Sequence, residues 1–227
     1  FTQGNQAFLK GDYKLAATTY EEVLKSLQVK SPELYYNLGN CYFKLTDFPN
    51  AILNYERALK LNPHDEDVRF NLRLANQRIE DKIEPVPELF YYRWFKWLRG
   101  IMTSGAWAVW ALVFIGLATL GIYLFVLGER VLHKAIGFYA AILLSGMGLL
   151  CFFMGWSRYN ATYAQNEAIV FSGSVSVKSA PVENSTGLFL LHSGSKVKIY
   201  DTLDAWVKVR TFDGNEGWIL KSDIEII

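Results

Sequence analysis

A chain of 227 residues carrying a net charge of +1 presents no basic surface for nucleic acid, and no groove-reading motif is present. About half of it is apolar (51%), which allows one or two domains, and its two cysteines, Cys41 in a charged region and Cys151 in a long apolar run, lie in regions too different to pair with each other.

The average hides an uneven distribution. Residues 1 to 84 are densely charged with both signs, whereas no charged residue occurs from Gly100 to Gly128 or from Ala135 to Ser157. Phe1 stands at the start in place of Met, and removal of a secretory signal peptide is the expected cause.

In the charged third, "GNQAFLKGDYKLAATTYEEVL" from Gly4 lies over "GNCYFKLTDFPNAILNYERAL" from Gly39 at an offset of 35 residues. Gly, Asn, an aromatic, an acidic–aromatic pair, Ala, Tyr and Leu all recur. The period and pattern resemble tetratricopeptide repeats, helix–turn–helix units of about 34 residues. Gly4, Gly39, Ala16 and Ala51 let paired helices approach, Tyr20 and Tyr55 fill the layer between successive pairs, and Asp12 and Asp47 sit at N-caps. Pro63 stops the fourth helix. A third copy starts at "DEDVRFNLRLANQRIEDKI", where Phe70-Asn71-Leu72 echoes Tyr36-Asn37-Leu38, but no second helix follows. Residues 65 to 82 therefore read as the polar cap that a solenoid needs, giving two repeats plus a capping helix over 1–84.

The resemblance implies a concave groove lined by the first helix of each repeat. Asn5, Phe8, Asn40, Phe43, Lys44 and Arg73 occupy the matching positions. Asn can meet a ligand backbone as donor and acceptor, and the aromatics supply area. The alternative is that the six only stack and solvate a short scaffold. Cys41 lies among them, with no His or second Cys nearby in sequence to activate it.

A linker and interfacial segment follows over 85–103. "PVPELF" breaks the helical pattern, and Tyr91, Tyr92, Trp94 and Trp97 mixed with Arg93, Lys96 and Arg99 suit a membrane–water interface. The uncharged runs then predict a transmembrane hairpin over 104–157, with spans of about 104–127 and 135–156 and a loop at 128–134. Loop density of positive charge favours a cytoplasmic loop, while the count on the other side argues the reverse. The signal peptide tips the expectation to both soluble regions in the periplasm, the chain anchored in a bacterial inner membrane. Neither span carries an ionisable residue, which counts against an ion pathway. Gly137, Ala141, Ser145 and Gly148 form a ridge of small residues that fits either the first span or a partner helix.

From residue 165 the pattern changes to short alternating strands, about five of them, with "DGNEG" as a hairpin signal. "VSVKSAP", a Leu-rich strand, "GSKVKIYD", "WVKVR" and "GWI" resemble a bacterial SH3-like domain, with Lys178 where the family usually has Arg and Ala180 where it has Gly. A small all-β barrel over 165–227 is the expectation. The alternation assigns Trp206 and Trp218 to the core, with a Tyr200–Trp206 ligand patch as the alternative. Asp201-Thr202-Leu203 resembles an O-glycosylation triplet at Thr202.

Catalytic chemistry is not written in the chain. His64, His133 and His192 are scattered, and no phosphate loop, nucleophile elbow or metal-ligand spacing occurs. No enzyme activity, cofactor or metal is expected.

The whole makes a multidomain membrane protein: an all-α tetratricopeptide solenoid, two transmembrane helices and an all-β SH3-like barrel. That order, with "YYNLGNCYFKL", "AILNYERALKLNPHDEDVRFNLRLA" and "GNEGWI", resembles the Bacteroides aerotolerance protein E (BatE) family. The resemblance implies an inner-membrane assembly with von Willebrand factor A-domain proteins, other Bat-type subunits and a MoxR-type AAA+ ATPase, linked to oxygen tolerance or envelope stress. The SH3-like region adds the alternative of a sensor that binds peptidoglycan.

Overall fold

Asp12, Ser31, Asp47 and Asp65 each turn a side-chain oxygen to a backbone N–H three residues on, and each starts a helix. The computed structural model describes residues 1–82, 87 and 89–227. They form two compact units, one of residues 1–87 and 164–227 and one of residues 88–163. Ile83 and Glu84 of the expected repeat region, and Pro85, Val86 and Glu88 of the expected break, lie outside the described residues.

The first unit begins with five helices: α1 (Thr2–Leu9), α2 (Tyr13–Leu27), α3 (Pro32–Lys44), α4 (Phe48–Leu61) and α5 (Glu66–Asn76). They are two helical hairpins and a cap. A Cβ on Gly4 would come within 2.6 Å of the Tyr20 ring, and one on Gly39 within 2.6 Å of Tyr55, so each ring occupies the space its glycine leaves open. Tyr20, Leu34, Leu38 and Cys41 anchor one buried cluster, and Ile52, Leu53, Tyr55 and Val68 anchor the next.

Seven strands complete this unit: β1 (Glu167–Val170), β2 (Ser174–Lys178), β3 (Gly187–His192), β4 (Lys196–Leu203), β5 (Trp206–Arg210), β6 (Glu216–Leu220) and β7 (Ile224–Ile226). They pair antiparallel in the order β3-β2-β6-β5-β4-β1-β7. Seven strands replace the expected five because two of the apolar segments each supply two strands, β1 with β2 and β5 with β6, and only the second pair forms a hairpin. The β5–β6 hairpin turns at Asp213-Gly214-Asn215, inside "DGNEG". Alternation sends Val207, Val209 and Ile219 into one core with Val175, Val177 and Val197. Trp206 and Trp218 fall on the opposite parity and are half-buried on the other face, which corrects their assignment to the core.

Helices and sheet share strand β1. Ala168 and Val170 pack in the sheet core, while Ile169, fully buried, packs in the cluster of α4 and α5. A Cβ on Gly194 would lie 2.5 Å from Ile79, so the turn between β3 and β4 docks on the chain just after α5 without room for a side chain. Lys196 bridges Glu56 of α4 (2.8 Å) and Glu167 of β1 (2.9 Å). Arg57 reaches Glu225 at 3.1 Å and the Ile226 carbonyl at 2.7 Å.

The second unit holds α6 (Phe90–Gly100), α7 (Ser104–Leu127) and α8 (Val131–Tyr163). Two of these, α7 and α8, are long and apolar enough to cross a membrane, with mean hydropathy of 2.3 and 2.1 over their most apolar stretches. Only 17% and 22% of those stretches are buried in the protein, where the core helix of a soluble domain would be mostly covered. α8 runs past the expected 135–156 at both ends, since no Pro or Gly stops it among the polar flanking residues. The expected loop at 128–134 shortens to Gly128–Arg130, with His133 and Lys134 already in the helix.

Candidate functional site

The inner face of the repeats is the first candidate surface, and its asparagines are partly committed. Asn5 Oδ1 accepts from Tyr20 Oη at 2.6 Å, and Asn40 Oδ1 accepts from Tyr55 Oη at 2.8 Å and from Asn71 Nδ2 at 2.9 Å. Each oxygen thus holds a tyrosine hydroxyl, and the residue's acceptor is already committed within the repeat.

Phe8 and Phe43 repeat this economy. Phe8 sits edge-on to Tyr13 at 5.2 Å and Phe43 edge-on to Phe48 at 5.7 Å, both half-buried in their own hairpins. Lys44 and Arg73 are exposed, and the Arg73 guanidinium lies 5.9 Å from the Phe70 ring. The face thus offers two amide donors, two aromatic edges and two cations. Asn71 belongs with them through its bonds to Asn40 and to Tyr36 Oη (3.2 Å), and the repeat of "FNL" on "YNL" was the signal for it.

Cys41 is fully buried, and burial pushes its thiol up to about 12, so the nucleophilic thiolate is not populated near neutral pH. Burial also raises the Tyr20 and Tyr55 hydroxyls, which remain neutral donors to their asparagines. Among the described residues no group of three His, Cys, Asp or Glu side chains is placed to hold a metal ion.

On the β-domain, Tyr200 is exposed and carries Arg210 over its ring at 4.3 Å, with Arg210 Nη1 donating to its hydroxyl at 3.0 Å. Trp206 lies instead across from Leu203 and Leu220 in the ladder. The exposed Tyr200 ring is thus engaged by Arg210. Thr202 is exposed near the end of β4, its N–H on Asp201 Oδ1 at 2.8 Å.

In the second unit the small-residue ridge packs on α7. A Cβ on Gly137 would lie 2.6 Å from the Gly121 carbonyl oxygen and 2.6 Å from the Phe125 nitrogen, and one on Gly148 would lie 3.0 Å from Ile115. Ala141 is buried beside Gly121 and Ser145 is half-buried. Along α6, Tyr91, Tyr92, Trp94 and Trp97 are exposed, while Phe95 meets Phe153 of α8 at 6.1 Å.

Sequence reasoning missed the seam between helices and sheet. Asp81 accepts the His192 backbone N–H at 2.8 Å, lies 2.7 Å from His192 Nδ1, and takes the Ser195 hydroxyl. Burial alone would raise the Asp81 carboxyl, but those three bonds outweigh it and hold it below the ordinary value. One signal for the seam was present: "AIVF" is an unbroken apolar run, the mark of a strand covered on both faces.

A tetratricopeptide-repeat family model matches residues 32–65, and a bacterial SH3 domain model matches residues 173–225. Sperm-associated antigen 1 of Rattus norvegicus is 33% identical over 86 residues, 38% of this chain and 10% of that protein. Tetratricopeptide repeat protein 12 of Homo sapiens is 33% identical over 79 residues, 35% of this chain and 11% of that protein. The chain thus spans about a tenth of the length of the curated relatives it matches. The comparisons establish the two module types, both suited to protein–protein interaction.

Proposed function

We propose that the chain is a non-enzymatic, membrane-anchored scaffold subunit in which one interaction unit, built from a repeat and an SH3-like domain, is held at a bilayer by the α7–α8 hairpin. The observation that carries this reading is the fusion of the two module types into one unit with a shared strand, β1. The unit draws its chain from before and after the hairpin, so both parts must occupy one compartment, and two membrane crossings meet that need. The exposed Tyr and Trp side chains of α6 suit the interface between headgroups and water.

In its sharper form, the chain is a Bacteroides aerotolerance protein E-type subunit of an inner-membrane assembly with von Willebrand A-domain proteins, other Bat-type subunits and a MoxR-type ATPase. Its repeat and SH3-like regions then lie in the periplasm with 128–130 on the cytoplasmic side. The partner surface is the inner repeat face with Asn5, Phe8, Asn40, Phe43, Lys44 and Arg73. Affinity purification of the full chain from solubilised membranes tests it. Recovery of the A-domain proteins, weakened by Lys44→Glu with Arg73→Glu, is the expected result; their absence from the eluate contradicts it.

A second reading draws on the bacterial SH3 match and the exposed Tyr200 ring beneath the half-buried Arg210: the β-domain binds peptidoglycan peptides. Co-sedimentation of the solubilised chain with purified sacculi, reduced by Tyr200→Ala, is its expected outcome. A chain left wholly in the supernatant removes it.

A further inference from the structure

Three helices meet where α6 ends. Arg99, in the last turn of α6, donates from Nη1 to Ser157 Oγ of α8 at 3.4 Å, and its carbonyl accepts Trp107 Nε1 of α7 at 3.3 Å. The Arg99 guanidinium also lies 5.9 Å from the Phe95 ring, which itself meets Phe153 of α8. Arg158, next along α8 after Ser157, is 6% exposed, and its guanidinium is near enough to that of Arg99 for the two to repel. Arg99 is half-buried and keeps a surface that a ligand can reach. Arg158 adds its charge from behind.

The junction stands at one end of both apolar spans. Arg99 immediately precedes the uncharged run from Gly100 to Gly128, and Arg158 is the first charged residue after the run from Ala135 to Ser157. In a bilayer this is the depth of the phosphate headgroups. Lys96, one turn before Arg99, carries its ammonium over the Tyr92 ring at 4.7 Å, and Arg93 is exposed on the same helix. The single carboxylate among residues 89–163, Glu129, follows the far end of α7, about 36 Å along a helix of this length. Among the described residues no carboxylate pairs with Arg99, whose guanidinium stays charged at every physiological pH.

The surroundings choose among anions. Tyr91, Tyr92, Trp94 and Trp97 are exposed and Phe90 is 78% exposed, so a dissolved anion would leave these rings in water. A phospholipid brings a phosphate for the guanidinium fork and, in the same molecule, acyl chains that cover the rings. A zwitterionic lipid also carries an ammonium, which Arg93, Lys96, Arg99 and Arg158 repel. The net charge of the junction therefore favours a headgroup that is negative overall.

We propose that Arg99, backed by Arg158 and with Lys96 beside it, holds the phosphate of one anionic phospholipid at the junction of α6, α7 and α8. The site rests on the membrane-anchored reading above and goes beyond it, from a bilayer of any composition to one lipid class at one place.

Native mass spectrometry of the full chain in nonionic detergent, with equal phosphatidylglycerol and phosphatidylcholine added, tests this. The expected result is one phosphatidylglycerol retained under activation that strips phosphatidylcholine. The retained fraction should fall at least fivefold in Arg99→Gln and stay unchanged in Arg130→Gln, at the opposite end of the hairpin. Arg99→Lys keeps the charge and loses the fork, so it should fall between wild type and Arg99→Gln, and it decides if Arg99→Gln does not fold. Thermal unfolding supplies a second readout, in which phosphatidylglycerol, and not inorganic phosphate, raises the midpoint by several degrees. Equal retention of the two lipids, equal loss in Arg130→Gln, or equal stabilisation by inorganic phosphate overturns the proposal. Alkaline carbonate washing of membranes separates the two readings. A chain washed off overturns the anchor and the site together, whereas a chain retained without lipid preference overturns the site alone.

Discussion

Gly11 and Thr46 occupy equivalent places at the turns of the two helical hairpins, and both have positive φ, +80° and +62°. Glycine adopts that conformation freely, whereas a β-branched residue pays about 1–2 kcal/mol for it. Thr46→Gly should therefore raise stability by about 1 kcal/mol in denaturant unfolding, even after the added freedom of the unfolded chain. No change or a loss would show that the Thr46 hydroxyl, which donates to the Leu45 carbonyl at 2.6 Å, offsets the strain. The same comparison shows how much of the candidate surface was legible. Recurrence at 35 residues located Gly39, Tyr55 and Asn40, because repeated packing demands repeated residues. It did not show which atom of Asn40 remains for a ligand, since that follows from the Tyr55 hydroxyl and from Asn71 in the neighbouring copy.

Helices α7 and α8 meet through glycines that differ in what surrounds them. A side chain on Gly137 runs into α7 backbone at 2.6 Å, whereas one on Gly146 meets nothing within 4 Å. With no hydrophobic force between helices in lipid, close packing carries the association. Gly137→Val should thus lower the thermal stability of the hairpin in detergent by several degrees, while Gly146→Val leaves it unchanged. Equal effects would mean that the helices associate by another face. The ridge was legible from four-residue spacing, but Gly121, its counterpart on α7, was not, because its neighbour Gly116 stands on a different face of the helix and the two make no ridge. The lengths of the apolar runs were read well for α7 and short for α8. Hydropathy marks where lipid can surround a helix, and hydrogen bonding carries that helix on to Tyr163. In the β-domain, alternation gave the strands but not the correct face for Trp206 and Trp218, since one-residue parity decides which side is core.

At the scale of the molecule, the seam joins modules that sequence reading separates. Its charged groups give it a pH signature. The bond to Asp81 raises His192 above its ordinary value of about 6.5, with Glu80 adding to the effect against the opposing influence of burial, while the Asp81 carboxyl is held low. The His192 contribution is complete below about pH 6.5 and is lost as pH rises through the raised value; the Asp81 contribution is present above about pH 3.9 and is lost as pH falls through the lowered one. The seam is therefore tightest in mildly acidic solution. Hydrogen exchange at β1 and the β3–β4 turn should quicken, beyond its intrinsic pH dependence, from pH 6 to pH 9 in the wild type and lose that excess in His192→Gln. A dependence that survives the substitution would assign it to another group. One interaction unit assembled from chain before and after a membrane hairpin requires both parts on the same side of the bilayer. Lys10→Cys, Glu129→Cys and Asp213→Cys each add one thiol at an exposed site, with the native Cys41 and Cys151 buried and the wild type as the labelling blank. Labelling sealed cells with a membrane-impermeant maleimide is the most direct test. Lys10→Cys and Asp213→Cys should label together from outside and Glu129→Cys only after permeabilisation; labelling of Lys10→Cys and Asp213→Cys from opposite sides, or of all three from one side, contradicts the claim.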